Sequence, residues 1–100
     1  MELILNLKEF SNFFTLKKVA KALCDMTRIE IIKLISEDNT NNLNYGEISK
    51  RVKKSPTSIT NHMNWIRQSG LIDDLIVEGK RGKMQKIPKL KYSKITIILE

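Results

Sequence analysis

Apolar positions recur with two different periods along this chain, and the change falls near Gly70. Upstream they return every three or four residues, as on one face of a helix; downstream they return every second residue, as in a strand. A first helix is expected over 2–14, where Ile4, Leu7, Phe10 and Phe14 keep helical spacing and Leu3 and Phe13 broaden the stripe. A second helical stretch covers Leu16 to Leu23. Asp25 is placed to cap a third helix, over Thr27 to Ser36, with Ile29 and Ile32 turned inward and Leu34 and Ile35 as further candidates. Glu37 to Asn42 is polar and asparagine-rich, a loop by composition. Asn44 followed by Glu47 is a capping-box pattern that opens a short helix through Val52. Ser55-Pro56 marks the next start, since serine suits the cap and proline loses nothing at the first helical position. That helix runs to Ser69 and stops at Gly70.

Beyond Gly70, Leu71, Leu75 and Val77 fall on one face of an alternating segment, and Tyr92 to Leu99 is rich in β-branched residues. Gly79-Lys80-Arg81-Gly82 lies between them as a turn. The expectation is a β-hairpin whose second strand begins at Met84 or only after Pro88, because proline signals an edge or a break. Helices, then two short helices joined by a tight turn, then a hairpin describe an α+β, mainly α fold: a winged helix-turn-helix. One domain is expected over 1–100, with an N-terminal dimerisation helix at 1–15, the helix-turn-helix at 45–69 and the wing at 71–99.

Length sharpens the reading of the N-terminus. One hundred residues leave no room for a separate catalytic domain, and a chain this small gains from burying an apolar face against a second copy. Three phenylalanines and several leucines in the first helix exceed what it needs against its own domain. Ile4, Leu7, Phe10, Phe13 and Phe14 are therefore read as a homodimer interface, with an intramolecular core helix as the alternative. No membrane span or secretory signal is legible. A single cysteine, Cys24, suits a reducing interior, so the expected location is cytoplasmic.

The placement of charge says more than its total of +7. Residues 1–50 carry seven basic and seven acidic side chains, whereas residues 51–100 carry eleven basic and four acidic. The densest stretch holds Lys80, Arg81, Lys83, Lys86, Lys89, Lys91 and Lys94 with no acid among them. Such a patch attracts polyanions.

Two stretches carry a resemblance. Val19-Ala-Lys-Ala-Leu-Cys-Asp-Met-Thr-Arg-Ile-Glu-Ile-Ile-Lys-Leu-Ile35 resembles the short helix, turn and apolar helix of the ArsR-type winged-helix repressors, with Met26 where proline is usual. Ser55-Pro-Thr-Ser-Ile-Thr-Asn-His-Met-Asn-Trp-Ile-Arg-Gln-Ser-Gly-Leu-Ile72 resembles their recognition helix and its exit, over a match spanning roughly 19–78. The resemblance implies a dimeric DNA-binding transcriptional regulator, read here as a repressor. Much of that group senses metals. The cysteine pair that does so would fall near Asn44 and Gly46, neither a soft ligand, and one histidine (His62) with one cysteine cannot supply a zinc site. No metal and no cofactor is expected.

On a helix from Pro56, Ile59, Met63 and Ile66 share one face and point to the core. The opposite face offers Thr57, Ser58, Thr60, Asn61 and Asn64, the candidates for reading bases in the major groove of double-stranded DNA. Solvated helix faces usually carry Glu and Lys, yet from Pro56 to Ser69 only Arg67 is charged. Asn61 leads the set, because an amide can pair bidentately with adenine. Lys50, Lys53, Lys54, Ser55 and Arg67 are candidates for phosphate, with Lys80, Arg81, Lys83 and Lys86 on the wing. Trp65 is read as packing, His62 as a local hydrogen-bonding residue and Cys24 as core with a thiol switch as the alternative. No nucleophile–base pair, phosphate-cradling glycine loop or carboxylate cluster suggests an enzyme. The rival is a winged helix serving as a protein-interaction module or a general nucleic-acid-binding factor in a larger assembly.

Overall fold

A computed structural model describes residues 1–100. In chain order the elements are β1 (Glu2–Asn6), α1 (Ser11–Leu23), α2 (Met26–Glu37), α3 (Tyr45–Val52), α4 (Pro56–Gln68), β2 (Ile72–Glu78), a single 3-10 turn at Lys80–Gly82, β3 (Met84–Leu90) and β4 (Lys94–Ile98). Four helices followed by an antiparallel hairpin make the winged helix-turn-helix that the periodicity predicts. No helix is long and apolar enough to cross a membrane.

The core forms where the helical stripes meet. Val19 and Ala22 of α1, Ile31 and Ile35 of α2, Ile48 and Val52 of α3 and Ile59, Met63 and Ile66 of α4 are all buried, closed over by Leu43, Leu71 and Ile72. The phase of α2 differs from the expected one. Ile31 and Ile35 face inward, Ile32 and Leu34 are only partly covered, and Ile29 is exposed. Its isoleucines are so closely spaced that periodicity alone admits more than one inward face. The caps behave as read: Asp25 accepts from the Arg28 amide at 3.2 Å, Asn44 from Glu47 at 2.8 Å and Ser55 from Ser58 at 3.1 Å.

The N-terminus departs from expectation. Residues 2–6 form a strand, and a single helix from Ser11 replaces the two expected over 2–14 and 16–23. β1 pairs in parallel with β4, Leu5 opposite Ile97, and Leu5 is buried. Asn6 ends the strand: its side chain accepts from the Lys8 amide at 3.0 Å, and its carbonyl takes the Asn12 amide group at 2.9 Å. The β-branched run Ile95-Thr96-Ile97-Ile98 offers a ladder to the Leu3-Ile4-Leu5 segment, and strand pairing satisfies backbone groups that the stripe reading assigned to a helix.

The wing is shorter than expected. β2 pairs with β3, so the second strand begins at Met84 and runs through Pro88, while Tyr92 to Leu99 leaves the hairpin for β1. Backbone bonds from Lys91 to Leu71 (2.9 Å) and from Gly79 to Lys83 (2.6 Å) set the alternation of the ladder. Pro88 then falls opposite Asp74 in a non-hydrogen-bonded pair, with its nitrogen turned away from β2, where a missing N–H costs nothing. Leu71 and Ile72 bury themselves where the strand leaves α4, whereas Leu75 is exposed and Val77 only partly covered. The twisting ribbon carries these two away from the helices.

An ion pair ties the wing to the helices. Lys89 of β3 donates to Asp38, just past α2, at 3.2 Å, and the Asp38 side chain is 6% exposed. Burial pushes the Asp38 carboxyl up, but the hydroxyl and amide of Thr40 and the Lys89 ammonium outweigh it, and its pKa lies below the ordinary value. Such a group stabilises the fold above the ordinary carboxylate pKa and loses that contribution as pH falls through its own lowered one. Asp38→Asn is therefore expected to cost about 1 kcal/mol at neutral pH, roughly 4–8 °C in Tm for a domain of this size. The gap to the parent should close in acid; thermal melts across the acid range check this.

Candidate nucleic-acid interface

The candidate interface is built on the turn between α3 and α4. Lys53 ends α3 in the left-handed region (φ 57°, ψ 45°), where side chains other than glycine and asparagine are strained. The turn is held by the Lys53 and Lys54 amides, both donating to the Ser49 carbonyl, and by the Ser49 hydroxyl donating to the Lys54 carbonyl. Ser55 then caps α4. Its oxygen occupies the Ser58 amide and its carbonyl takes the Ile59 amide, leaving the Thr57 N–H as the free donor of the first turn. One backbone amide, rather than several, is thus presented to an anion here.

With Ile59, Met63 and Ile66 sealed inward, Thr57, Thr60, Asn61 and Asn64 lie exposed on the other face of α4, and Ser58 is half-buried. These side chains are not equally free. The Thr60 hydroxyl donates to the Pro56 carbonyl at 3.0 Å, which leaves its methyl and lone pairs outward. Asn64 accepts from Arg67 at 3.0 Å. Asn61 makes no intramolecular side-chain hydrogen bond and keeps a full amide edge.

Lys50, Lys53 and Lys54 are exposed around the turn, with Lys50 3.7 Å from Glu47. On the wing, Lys80, Arg81, Lys83 and Lys86 are exposed, and Arg81 and Gly82 take positive φ at the tip. Two positions expected to face a polyanion are occupied otherwise. Arg67 donates to Asp74 at 3.2 Å and to the Tyr45 hydroxyl, and Lys89 is held by Asp38. Sequence gave no signal for these pairings, because each acid lies in another element.

Polar ties also set where the wing sits. Asn44 caps α3 with its oxygen and donates its amide nitrogen to Gln85 of β3 at 3.2 Å. Gln85 in turn lies against Gly79, where a Cβ would come within 2.7 Å of its side chain. Asn44 is one of the two positions where the resemblance would put a metal-binding cysteine. Here it is an amide committed to a cap and a wing contact, and its neighbour Gly46 has no side chain to ligate.

The remaining singled-out residues have local partners. The His62 ring stands 3.1 Å from Arg28 through Nδ1 and 4.0 Å from Asp25. Because a guanidinium only donates, Nδ1 is the acceptor in that contact. The Arg28 amide, first among several contacts, keeps the Asp25 carboxyl below its ordinary pKa. Trp65, read as packing, is instead exposed, with the Lys21 ammonium lying over its ring, 4.9 Å from the centroid. Cys24, read as core, is instead exposed, its thiol near the Lys21 carbonyl at 3.3 Å. The expected dimer residues are mostly uncovered: Phe10, Phe13 and Phe14 are 70%, 47% and 61% exposed, Ile4 is exposed and Leu7 half-buried. The three rings pack on one another, with centroids 5.3 and 5.7 Å from Phe10.

Residues 25–74 match the family model of bacterial regulatory proteins, arsR family. The match runs from the cap of α2 into β2 and so contains the whole helix-turn-helix, while β1, α1, β3 and β4 lie outside it. A search of curated proteins finds no match to the chain.

A lysine held at φ 57° makes a direct test of what the turn is selected for. Lys53→Gly is expected to raise stability by roughly 0.5–1 kcal/mol by relieving the left-handed strain, while weakening association with duplex DNA. A melt and a binding titration on the same variant check both directions.

Proposed function

Since the chain belongs to the arsR family of bacterial regulatory proteins, and so is a DNA-binding transcriptional regulator, we propose that it reads specific duplex sites as a homodimeric repressor, without metal sensing. One observation carries the reading. The outward face of α4 is polar and uncharged, and exposed lysines stand on both sides of it, at the α3–α4 turn and on the wing. Amides and hydroxyls distinguish base edges in the major groove, whereas lysines on either side grip phosphate whatever the sequence. In this arrangement Thr57, Ser58, Thr60, Asn61 and Asn64 face bases. Lys50, Lys53, Lys54 and Ser55 face the backbone beside α4, and Lys80, Arg81, Lys83 and Lys86 reach the flanking backbone or minor groove. Arg67 takes another part, described below.

The single-histidine, single-cysteine composition supports the absence of metal sensing, together with the engagement of His62 by Arg28 and of Asn44 by its cap. A non-enzymatic, cytoplasmic protein fits the same reading. Repression follows from occupancy: a dimer seated across a duplex excludes other proteins from that stretch.

Duplex binding should weaken steeply with salt, at a log–log slope of roughly −0.9 for each phosphate contact. Asn61→Ala should cost roughly 1–3 kcal/mol on a selected site and little on random DNA. Equal losses on both would remove Asn61 as a base reader, and salt-insensitive binding would favour the protein-interaction module instead.

The dimer is supported by the phenylalanine cluster at the start of α1. Its rings expose a contiguous apolar patch two to three helical turns from Lys21 and the recognition-helix tryptophan it covers, so a second copy can dock there and leave α4 free. Light scattering during size-exclusion should report about twice the 11.6 kDa chain mass at micromolar concentration, and Phe10→Glu with Phe14→Glu should return the monomer mass. A monomeric parent protein rejects the interface.

A further inference from the structure

Asn64 and Asn61 stand one helical turn apart on the same exposed face of α4, yet their amides are not equivalent. Three elements converge beside Asn64. Arg67, in the last turn of α4, donates through Nε to Asp74 of β2 at 3.2 Å and through Nη2 to the hydroxyl of Tyr45 at the start of α3. The Tyr45 hydroxyl donates to the other Asp74 oxygen at 3.2 Å, and the guanidinium carbon lies 5.8 Å from the Tyr45 ring centroid. The Asp74 side chain is only 14% exposed. Burial, then the Asp74 charge, hold the Tyr45 hydroxyl above its ordinary pKa, so it stays a donor at neutral pH. A guanidinium fixed at two of its nitrogens cannot swing, and its third, Nη1, meets Asn64 Oδ1 at 3.0 Å.

The chemistry of the pair settles which way the Asn64 amide points. Arginine has five donors and no acceptor, so it must meet the oxygen, and the amide nitrogen is what remains for the groove. Oxygen and nitrogen diverge trigonally from the amide carbon. With the oxygen aimed along the helix at Arg67, the two cannot both face one base. Asn64 is left as a pure donor, whereas Asn61 keeps both groups.

Resting on the DNA-reading function above, we propose that the Arg67–Asp74–Tyr45 group makes Asn64 a selector for keto bases. Guanine offers N7 and O6 as acceptors in the major groove and thymine offers O4, while cytosine offers only a donor there. Adenine sets an acceptor, N7, beside a donor, N6, so it is best read by an amide that both donates and accepts, as Asn61 can; Asn64 can meet only N7 and leaves N6 unpaired. The site should therefore contain guanine or thymine where Asn64 reaches, one or two base pairs from an adenine read by Asn61. Arg67 is a positioning residue that acts through Asn64.

Selection from a random duplex pool tests this with the parent protein, Asn64→Ala, Asn64→Asp and Arg67→Met, each checked for a single cooperative melting transition well above the selection temperature. Asn64→Ala should relax one position, which assigns it. At that position the parent should favour guanine or thymine. Asn64→Asp, which can only accept, should shift the preference by about tenfold from the keto bases toward the amino bases, cytosine and adenine. Arg67→Met, which frees the amide oxygen, should raise adenine by about tenfold against the keto bases and leave the rest of the motif alone. Should Arg67→Met fail to fold, the exposed Asn64→Asp decides by itself. An Asn64→Asp protein that loses affinity for all sequences alike, with no change of base, overturns the proposal, as does a folded Arg67→Met protein with the parent's preference. A parent protein that enriches no sequence overturns the DNA-reading function itself, and so is told apart from a failure at Asn64.

Discussion

Burial of Ile59, Met63 and Ile66 is the constraint on which the rest of this molecule depends. All three are essentially fully covered, packed with Ile48 and Val52 of α3 and the isoleucines of α2. Removing any one of them would cost on the order of 2–5 kcal/mol, a large share of what holds a domain of this size together. That cost fixes the rotation of α4 about its own axis. Once the rotation is fixed, the threonines and asparagines have nowhere to go but outward, and the α3–α4 turn must bring its lysines alongside them.

The wing obeys a different physics. Beyond Ile72 the ribbon is anchored to the helices by the buried Ile87 and Pro88, by the partly buried Leu90, and by polar contacts: Asp38 with Lys89, Asn44 with Gln85, and Asp74 with Arg67 and Tyr45. Polar contacts are more directional than apolar packing, so they set the angle of the wing as well as its attachment. They also divide the basic side chains into two groups. Lys89 and Arg67 have acidic partners within the fold, while Lys80, Arg81, Lys83 and Lys86 project from the ribbon without one. A basic stretch that looks uniform along the chain is therefore uneven in space. Only part of it is left free to meet a polyanion.

Outside the segment shared with the arsR family, the chain closes itself with a two-stranded parallel sheet. Isolated two-stranded pairings are weak, and this one leans on the helices through the buried Leu5 and the partly buried Leu3 and Ile95. Drawing residues 2–6 into a strand shortens the apolar helix that periodicity suggested and starts α1 at Ser11. The phenylalanines then sit together in and just before its first turn, exposed and in contact with one another.

Patterns that act within about a helical turn were legible in the residues themselves. Asp25, Asn44 and Ser55 announce their caps, Pro56 and Gly70 bracket α4, and the three-to-four spacing of Ile59, Met63 and Ile66 assigns its faces, because the partners in each case are neighbours along the chain. Contacts between distant segments left no such trace. The β1–β4 ladder joins residues more than ninety positions apart, and the pairs Asp38–Lys89, Asn44–Gln85 and Arg67–Asp74 obey no local period. Which lysines are free, which amide keeps both of its groups, and whether Leu3-Ile4-Leu5 coils or extends were decided only in three dimensions, where hydrogen bonds and burial are satisfied by whatever the fold brings near.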